Sequence, residues 1–114
     1  MGPLLIAPIE RMPMAELTRE QCLEALAKVI DPELGLDAVS LGLIYRVDVH
    51  GQEVVVDMTM TSPGCPLADQ MIFEANNELL KLPGVEKASV NLVWDPPWTP
   101  ERMTEEAKMT LGFA

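Results

Sequence analysis

Two alternating runs meet across a short turn in this chain of 114 residues, and they limit what it can fold into. In Tyr45-Arg46-Val47-Asp48-Val49 the apolar side chains share one face, and Val54, Val56, Met58 and Met60 repeat the pattern after His50-Gly51-Gln52. Successive strand residues point to opposite faces, so each run offers one apolar and one polar surface. The glycine-containing turn makes antiparallel pairing the simplest arrangement. An isolated hairpin is marginal in water, so other elements must cover its apolar face.

Helices supply that cover. Thr18 is a good N-cap with Gln21 three residues on, and Leu17 and Cys22 hold the two positions of a hydrophobic staple. Leu23, Leu26, Ala27 and Ile30, widened by Val29, form an apolar stripe that Pro32 stops. A second helix is predicted to open with Pro66 at its first position. It carries Ala68, Met71, Ile72, Ala75, Leu79 and Leu82 at helical spacing before Pro83-Gly84. Val90, Leu92 and Trp94 mark a third strand, and Thr99-Pro100 opens a last helix through Met103, Ala107 and Leu111.

The expected fold is α+β, in the order α-β-β-α-β-α. It is a small three-stranded mixed or antiparallel sheet with helices mainly on one face. Residues 1–16 read as a lead-in, either flexible or laying Leu4, Leu5 and Ile6 against the body, and residues 17–114 as one domain.

Eighteen acidic residues against 8 basic ones give a net charge of -10, spread over both halves of the chain. Nucleic acid and anionic membranes recruit clustered Lys and Arg, so neither is an expected partner. A basic protein surface or a cationic metal species fits better. Pro3, Pro8 and Glu10 interrupt the apolar start, which does not read as a signal peptide, and two cysteines in unlike surroundings make no disulfide framework. A reducing, cytoplasmic location is the expectation.

Cys65, in Thr61-Ser62-Pro63-Gly64-Cys65-Pro66, is the residue with the most chemistry to offer. If the helix starts at Pro66, Cys65 caps it, where free N–H groups and the helix dipole favour the thiolate that binds iron or zinc and attacks electrophiles. Thr59, Thr61 and Ser62 add hydroxyl donors, and Gly64 permits close approach of a ligand. Read from local physics, Cys65 is equally a small structural cap, whereas Cys22 belongs in the core. One thiolate does not close a metal site. The ligand set then comes from a second protomer's Cys65, from carboxylates or from a partner.

Asp31, Glu33 and Asp37 form the best carboxylate set, without the spacing of a calcium loop. No phosphate loop, dinucleotide fingerprint or nucleophile elbow is present, and the one histidine, His50, lies at the hairpin turn. Met58, Met60, Met71, Met103 and Met109 read as core filler. Trp94 reads as a core strand residue, and Trp98, in a proline-rich loop, as an interface anchor.

With these landmarks in place the chain resembles the DUF59 family of iron-sulfur assembly domains, found in SufT-like and PaaD-related proteins and at the N-terminus of some Mrp-like ATPases. The resemblance rests on Asp31-Pro32-Glu33, Ser40 to Tyr45, Met58 to Thr61, Ser62-Pro63-Gly64-Cys65-Pro66 and Pro83-Gly84-Val85. Val90 to Trp98 completes it. It implies an accessory role in assembly, repair or transfer of iron-sulfur clusters. Cys65 matches the reactive or cluster-associated cysteine, supported by Thr61, Ser62 and Gly64, while Asp31 and Glu33 form an acidic pocket or partner site. The chain would be a transient carrier or adaptor for a labile cluster or iron, shared between protomers of a homodimer or with assembly and recipient proteins. No bond-making catalysis is required. The competing readings are a scaffold binding proteins through Trp98 and a cysteine-dependent enzyme.

Overall fold

A computed structural model describes residues 17–62 and 66–112. Its elements are α1 (Arg19–Leu26), β1 (Ile44–His50), β2 (Glu53–Met58), α2 (Ala68–Leu80), β3 (Lys87–Leu92), a 3₁₀ turn (Pro100–Arg102) and α3 (Glu105–Leu111). The expected order and fold class are those observed. The lead-in at 1–16 lies outside the described residues.

The sheet is mixed, in the order β1-β2-β3. β1 and β2 form the expected antiparallel hairpin, closed by Gly51 and Gln52 between the paired His50 and Glu53, with Gly51 at φ 62°. β3 lies parallel to β2, with Val56 opposite Val90 and Met58 opposite Leu92. A parallel neighbour needs a crossover, and α2 is that crossover. Val54, Val56 and Met58 are buried under the helices. The opposite face is polar: Arg46 bridges Asp48 (3.2 Å) and Asp57 (3.3 Å), and Asn91 donates to Asp57 (3.3 Å). These pairs are partly exposed, and each contributes little to stability. One wet and one dry face follow directly from the alternation in the sequence.

α1 begins as predicted. Gln21 N–H donates to Thr18 Oγ1 (3.2 Å) and Thr18 N–H to Gln21 Oε1 (3.0 Å), a closed capping box. The helix ends at Leu26, short of Pro32; its buried residues are Cys22, Ala25 and Leu26, and Val29 beyond its end is buried too. Ala27 and Ile30, assigned to the stripe from the sequence, are exposed. The chain leaves the helix at Ala27 to form an isolated bridge between Ile30 and Asp37, which turns the Ile30 side chain outward.

The last helix is also divided. Met103 is buried with ψ 153°, an extended residue that breaks the run after the 3₁₀ turn. Thr104 then caps α3, accepting from Ala107 N–H (3.1 Å) while its own N–H donates to the Ser40 carbonyl (2.9 Å). The predicted spacing of Met103 and Ala107 holds because both reach the core. Met109 lies on the far side of α3 and is exposed, contrary to its assignment as core filler, whereas Met58, Met60, Met71 and Met103 are buried.

Candidate functional site

The end of the sheet where β2 and β3 both finish leads into Thr61 and Ser62 on one side and Trp94 on the other. Past Met58 the strands stay in register: Thr59 N–H donates to the Leu43 carbonyl (2.8 Å) and Val93 N–H to the Met58 carbonyl (2.8 Å). Thr59 and Met60 are buried, Thr61 is half-buried and Ser62 is exposed. The chain thus climbs from the core to the surface over four residues. Pro63, Gly64 and Cys65 lie outside the described residues, and Pro66 on the far side is exposed.

The helix after them starts later than the sequence suggests. Leu67 (φ -96°, ψ 2°) is the N-cap of α2, and the first helical bond runs from Met71 N–H to the Leu67 carbonyl (2.9 Å). Pro66 is therefore a turn residue and Cys65 is not the cap. No side chain caps α2, so its first N–H groups are left without an internal partner, and Asp69 stands in the first turn.

Thr59 carries an unmet requirement in this segment. Its Oγ1 is buried with no hydrogen-bond partner. Such a hydroxyl costs about 1–3 kcal/mol relative to a paired one. Thr59→Val, which keeps the shape and removes the hydroxyl, should leave stability unchanged or raise it in urea unfolding. A drop of more than about 1 kcal/mol would show that the hydroxyl is engaged.

The acidic loop is organised by its own hydrogen bonds. Asp31 is buried, and its Oδ1 accepts from Glu33 N–H (2.8 Å) and Leu34 N–H (3.3 Å). Its carbonyl accepts from Gly35 N–H (2.7 Å), and its own N–H donates to the Leu36 carbonyl (2.9 Å). Asp31 thus folds its own loop, with Gly35 supplying the left-handed residue at φ 75°. Glu33 is exposed and free to meet a partner. Asp37 accepts from Ser40 N–H (2.9 Å), starting the turn that delivers Leu43 to Thr59.

Of the two tryptophans, Trp94, read as a core strand residue, is the more exposed. Trp98 is half-buried against the core, and its Nε1 donates to the Leu41 carbonyl (2.6 Å). Trp94, just past β3, is 42% exposed. The alternation does point Trp94 along with Val90 and Leu92, but it lies past the strand end. The Asp95-Pro96-Pro97 loop behind it is fixed by Tyr45 Oη donating to the Pro96 carbonyl (2.9 Å), and Arg102 stacks 4.4 Å from the Tyr45 ring centre. A large exposed aromatic on a braced loop loses little entropy if it is ordered further. β3 ends at Leu92, two residues before Trp94, and the readable signal is Asp95-Pro96-Pro97 immediately after it. Trp98→Phe should cost about 1 kcal/mol or more through the stranded Leu41 carbonyl, and Trp94→Ala less, by urea unfolding.

Cys22 and His50 stand apart from this end. Cys22 is fully buried, and burial raises its thiol pKa above the ordinary value, as its core assignment requires. Native protein should leave Cys22 unlabelled by thiol reagents. Its raised folded-state pKa contributes stability that is complete below the unfolded thiol value, about 8.5, and is lost as pH climbs above it. Unfolding midpoints that hold or rise in Cys22→Ala relative to wild type on alkalinisation would show that loss. His50, the last residue of β1, is exposed at the other end of the hairpin, where its partner Glu53 lies roughly 20 Å of strand from Thr59. Among the described residues no three His, Cys, Asp or Glu converge as a metal-binding group.

Residues 19–92 match the iron-sulfur cluster assembly protein family. The chain belongs to that family. Bacillus subtilis YitW, an Fe-S protein maturation auxiliary factor, is 45% identical over 101 residues, which are 88% of this chain and 99% of that protein. Staphylococcus aureus SufT, also described as an Fe-S protein maturation auxiliary factor, is 49% identical over 87 residues, 75% of this chain and 99% of the relative. The crystal structure of a DUF59 domain of unknown function from Bacillus anthracis superposes with a TM-score of 0.79 at 39% identity, covering 94% of this chain and 99% of that one. In this member of the iron-sulfur assembly family, the one thiol among the described residues, Cys22, belongs to the core.

Proposed function

We propose that this chain is an auxiliary factor in iron-sulfur protein maturation that offers Cys65 as one sulfur ligand to iron or a cluster in transit. The observation that carries the reading is the near end-to-end similarity to two maturation auxiliary factors. One thiolate does not close a metal site, which favours a ligand set completed elsewhere. The partner is a second protomer or an assembly or recipient protein, and its docking surface is basic, complementary to a net charge of -10. The work is done in a reducing, cytoplasmic setting where Cys65 stays a thiol.

Transfer is ligand exchange. The Cys65 Sγ–Fe bond breaks as a recipient thiolate forms its own bond to the same iron, no electron changes hands, and Cys65 takes up a proton on release. A site that supplies few ligands binds weakly enough to let go. Wild-type protein incubated anaerobically with ferrous iron and sulfide, alone and with an assembly partner, should acquire iron and the visible absorption of sulfide-bridged iron. No iron under either condition would sink the carrier role.

The adaptor reading has its own observation in the exposed, braced Trp94. If maturation of a recipient survives Cys65→Ser and is lost in Trp94→Ala, the chain works by docking alone.

A further inference from the structure

β3 is an edge of the sheet, and its outer side is unprotected. Lys87 N–H donates to the Gln52 carbonyl (3.3 Å) and Val93 N–H to the Met58 carbonyl (2.8 Å), so the odd-numbered residues of β3 spend their backbone groups on β2. These groups alternate in direction along a strand, which turns the N–H and carbonyl groups of Ala88, Val90 and Leu92 outward. Among the described residues no further strand pairs with that side. Val90 and Leu92 are only half-buried, whereas Val54, Val56 and Met58 of β2, under the same helices, are fully buried.

The other edge is blunted. β1 has a register irregularity between Ile44 and Arg46, and it presents the paired charges of Arg46 and Asp48. Bulges and charges both discourage strand addition. β3 is regular, and its single charge is Lys87, at its first position.

The helices limit what can add to β3. A second copy offering its own edge strand would bring a helix with it, because α2 packs on β3 and α1 on β1. Neighbouring strands lie about 5 Å apart, but packed helices need about 8–10 Å between axes, so the two helices would collide. The occupant is therefore an extended segment with no helix on that face. Glu86 and Asp95, both exposed, flank β3 in a protein of net charge -10, which calls for basic side chains on the incoming segment.

We propose that the outer edge of β3 takes an added strand from another protein, an extended segment in which apolar residues alternate with lysine or arginine. Its backbone pairs with Ala88, Val90 and Leu92. Its apolar side chains extend the Val90–Leu92 row, and its basic side chains stand with Asn91 on the wet face. The inference rests on the reading of a basic docking partner and names how that partner docks.

Hydrogen exchange of the full chain reads the edge directly. In the free protein the amides of Ala88, Val90 and Leu92 should exchange far faster than those of Ser89, Asn91 and Val93. A heptapeptide of alternating lysine and valine should slow the outer three severalfold, and the same peptide N-methylated at every residue should not. A glutamate-valine heptapeptide should bind severalfold more weakly at low salt. Outer amides as slow as the inner ones in the free protein would overturn the proposal, and their release on dilution would assign the edge to a second copy. No slowing by the lysine peptide overturns it as well, as does equal binding of the methylated or the glutamate peptide. None of these measurements involves iron. Strand addition without iron loading would defeat the carrier role alone, and iron loading without strand addition would defeat this inference alone.

Discussion

Gly42→Ala should lower the unfolding free energy by about 3 kcal/mol or more, the largest loss expected from a change of one methyl group in this protein. Gly42 has φ 75°, a left-handed conformation that costs an L-residue about 1–2 kcal/mol. A Cβ there would also fall on the Arg102 carbonyl oxygen and lie 2.7 Å from the Arg102 carbonyl carbon. Backbone cannot swing aside as a flexible side chain can, so the 3₁₀ turn itself would have to move. Gly35 is the control: it has the same φ of 75° and nothing within 4 Å of its added Cβ. Gly35→Ala should therefore show the conformational cost alone, about 1–2 kcal/mol. Equal midpoints for the two variants in urea unfolding would show that the close approach to Arg102 is not a constraint.

The position of Gly42 ties this cost to the candidate site. It lies between Leu41, whose carbonyl accepts from Trp98, and Leu43, whose carbonyl accepts from Thr59 N–H. Displacing the turn would loosen both the Trp98 contact and the start of the segment that leads to Cys65.

Cys65→Ser should reduce iron acquired in anaerobic reconstitution by about tenfold or more, because altering a supporting residue behind a metal ligand already costs about 10–100-fold. Serine is nearly isosteric, but its hydroxyl stays protonated near neutral pH and is a hard donor where iron in a sulfide environment prefers a soft one. Cys22→Ser is the matched comparison. It should lose about 1–3 kcal/mol of stability by burying an unpaired hydroxyl while loading iron as wild type does. Loss of loading in both variants would point to general instability, and retention in Cys65→Ser would remove the thiol from the mechanism.

Much of the fold was legible because it depends on local pattern. The Tyr45–Val49 and Val54–Met60 alternation, the Thr18–Gln21 capping box and the core periodicity of α2 are written in adjacent residues. What was misread depends on distant contacts. α1 stops at Leu26 because Ile30 is drawn into pairing with Asp37, and the Met103 break exists because Thr104 bonds to Ser40. Nothing in the local pattern shows that the Leu41 carbonyl meets the Trp98 indole. Of the site, Thr61 and Ser62 could be placed on the rise from β2 to the surface. The hydrogen bonds by which Asp31 organises its own loop are not legible from the acidic spacing alone.

The most direct test of a Cys65 site completed by another chain is native mass spectrometry of the anaerobically reconstituted protein. The loaded species should contain two protomers, or one protomer and an added assembly partner, and should disappear in Cys65→Ser. Iron and sulfide carried stoichiometrically by a lone protomer, or by the Cys65→Ser protein, would contradict it.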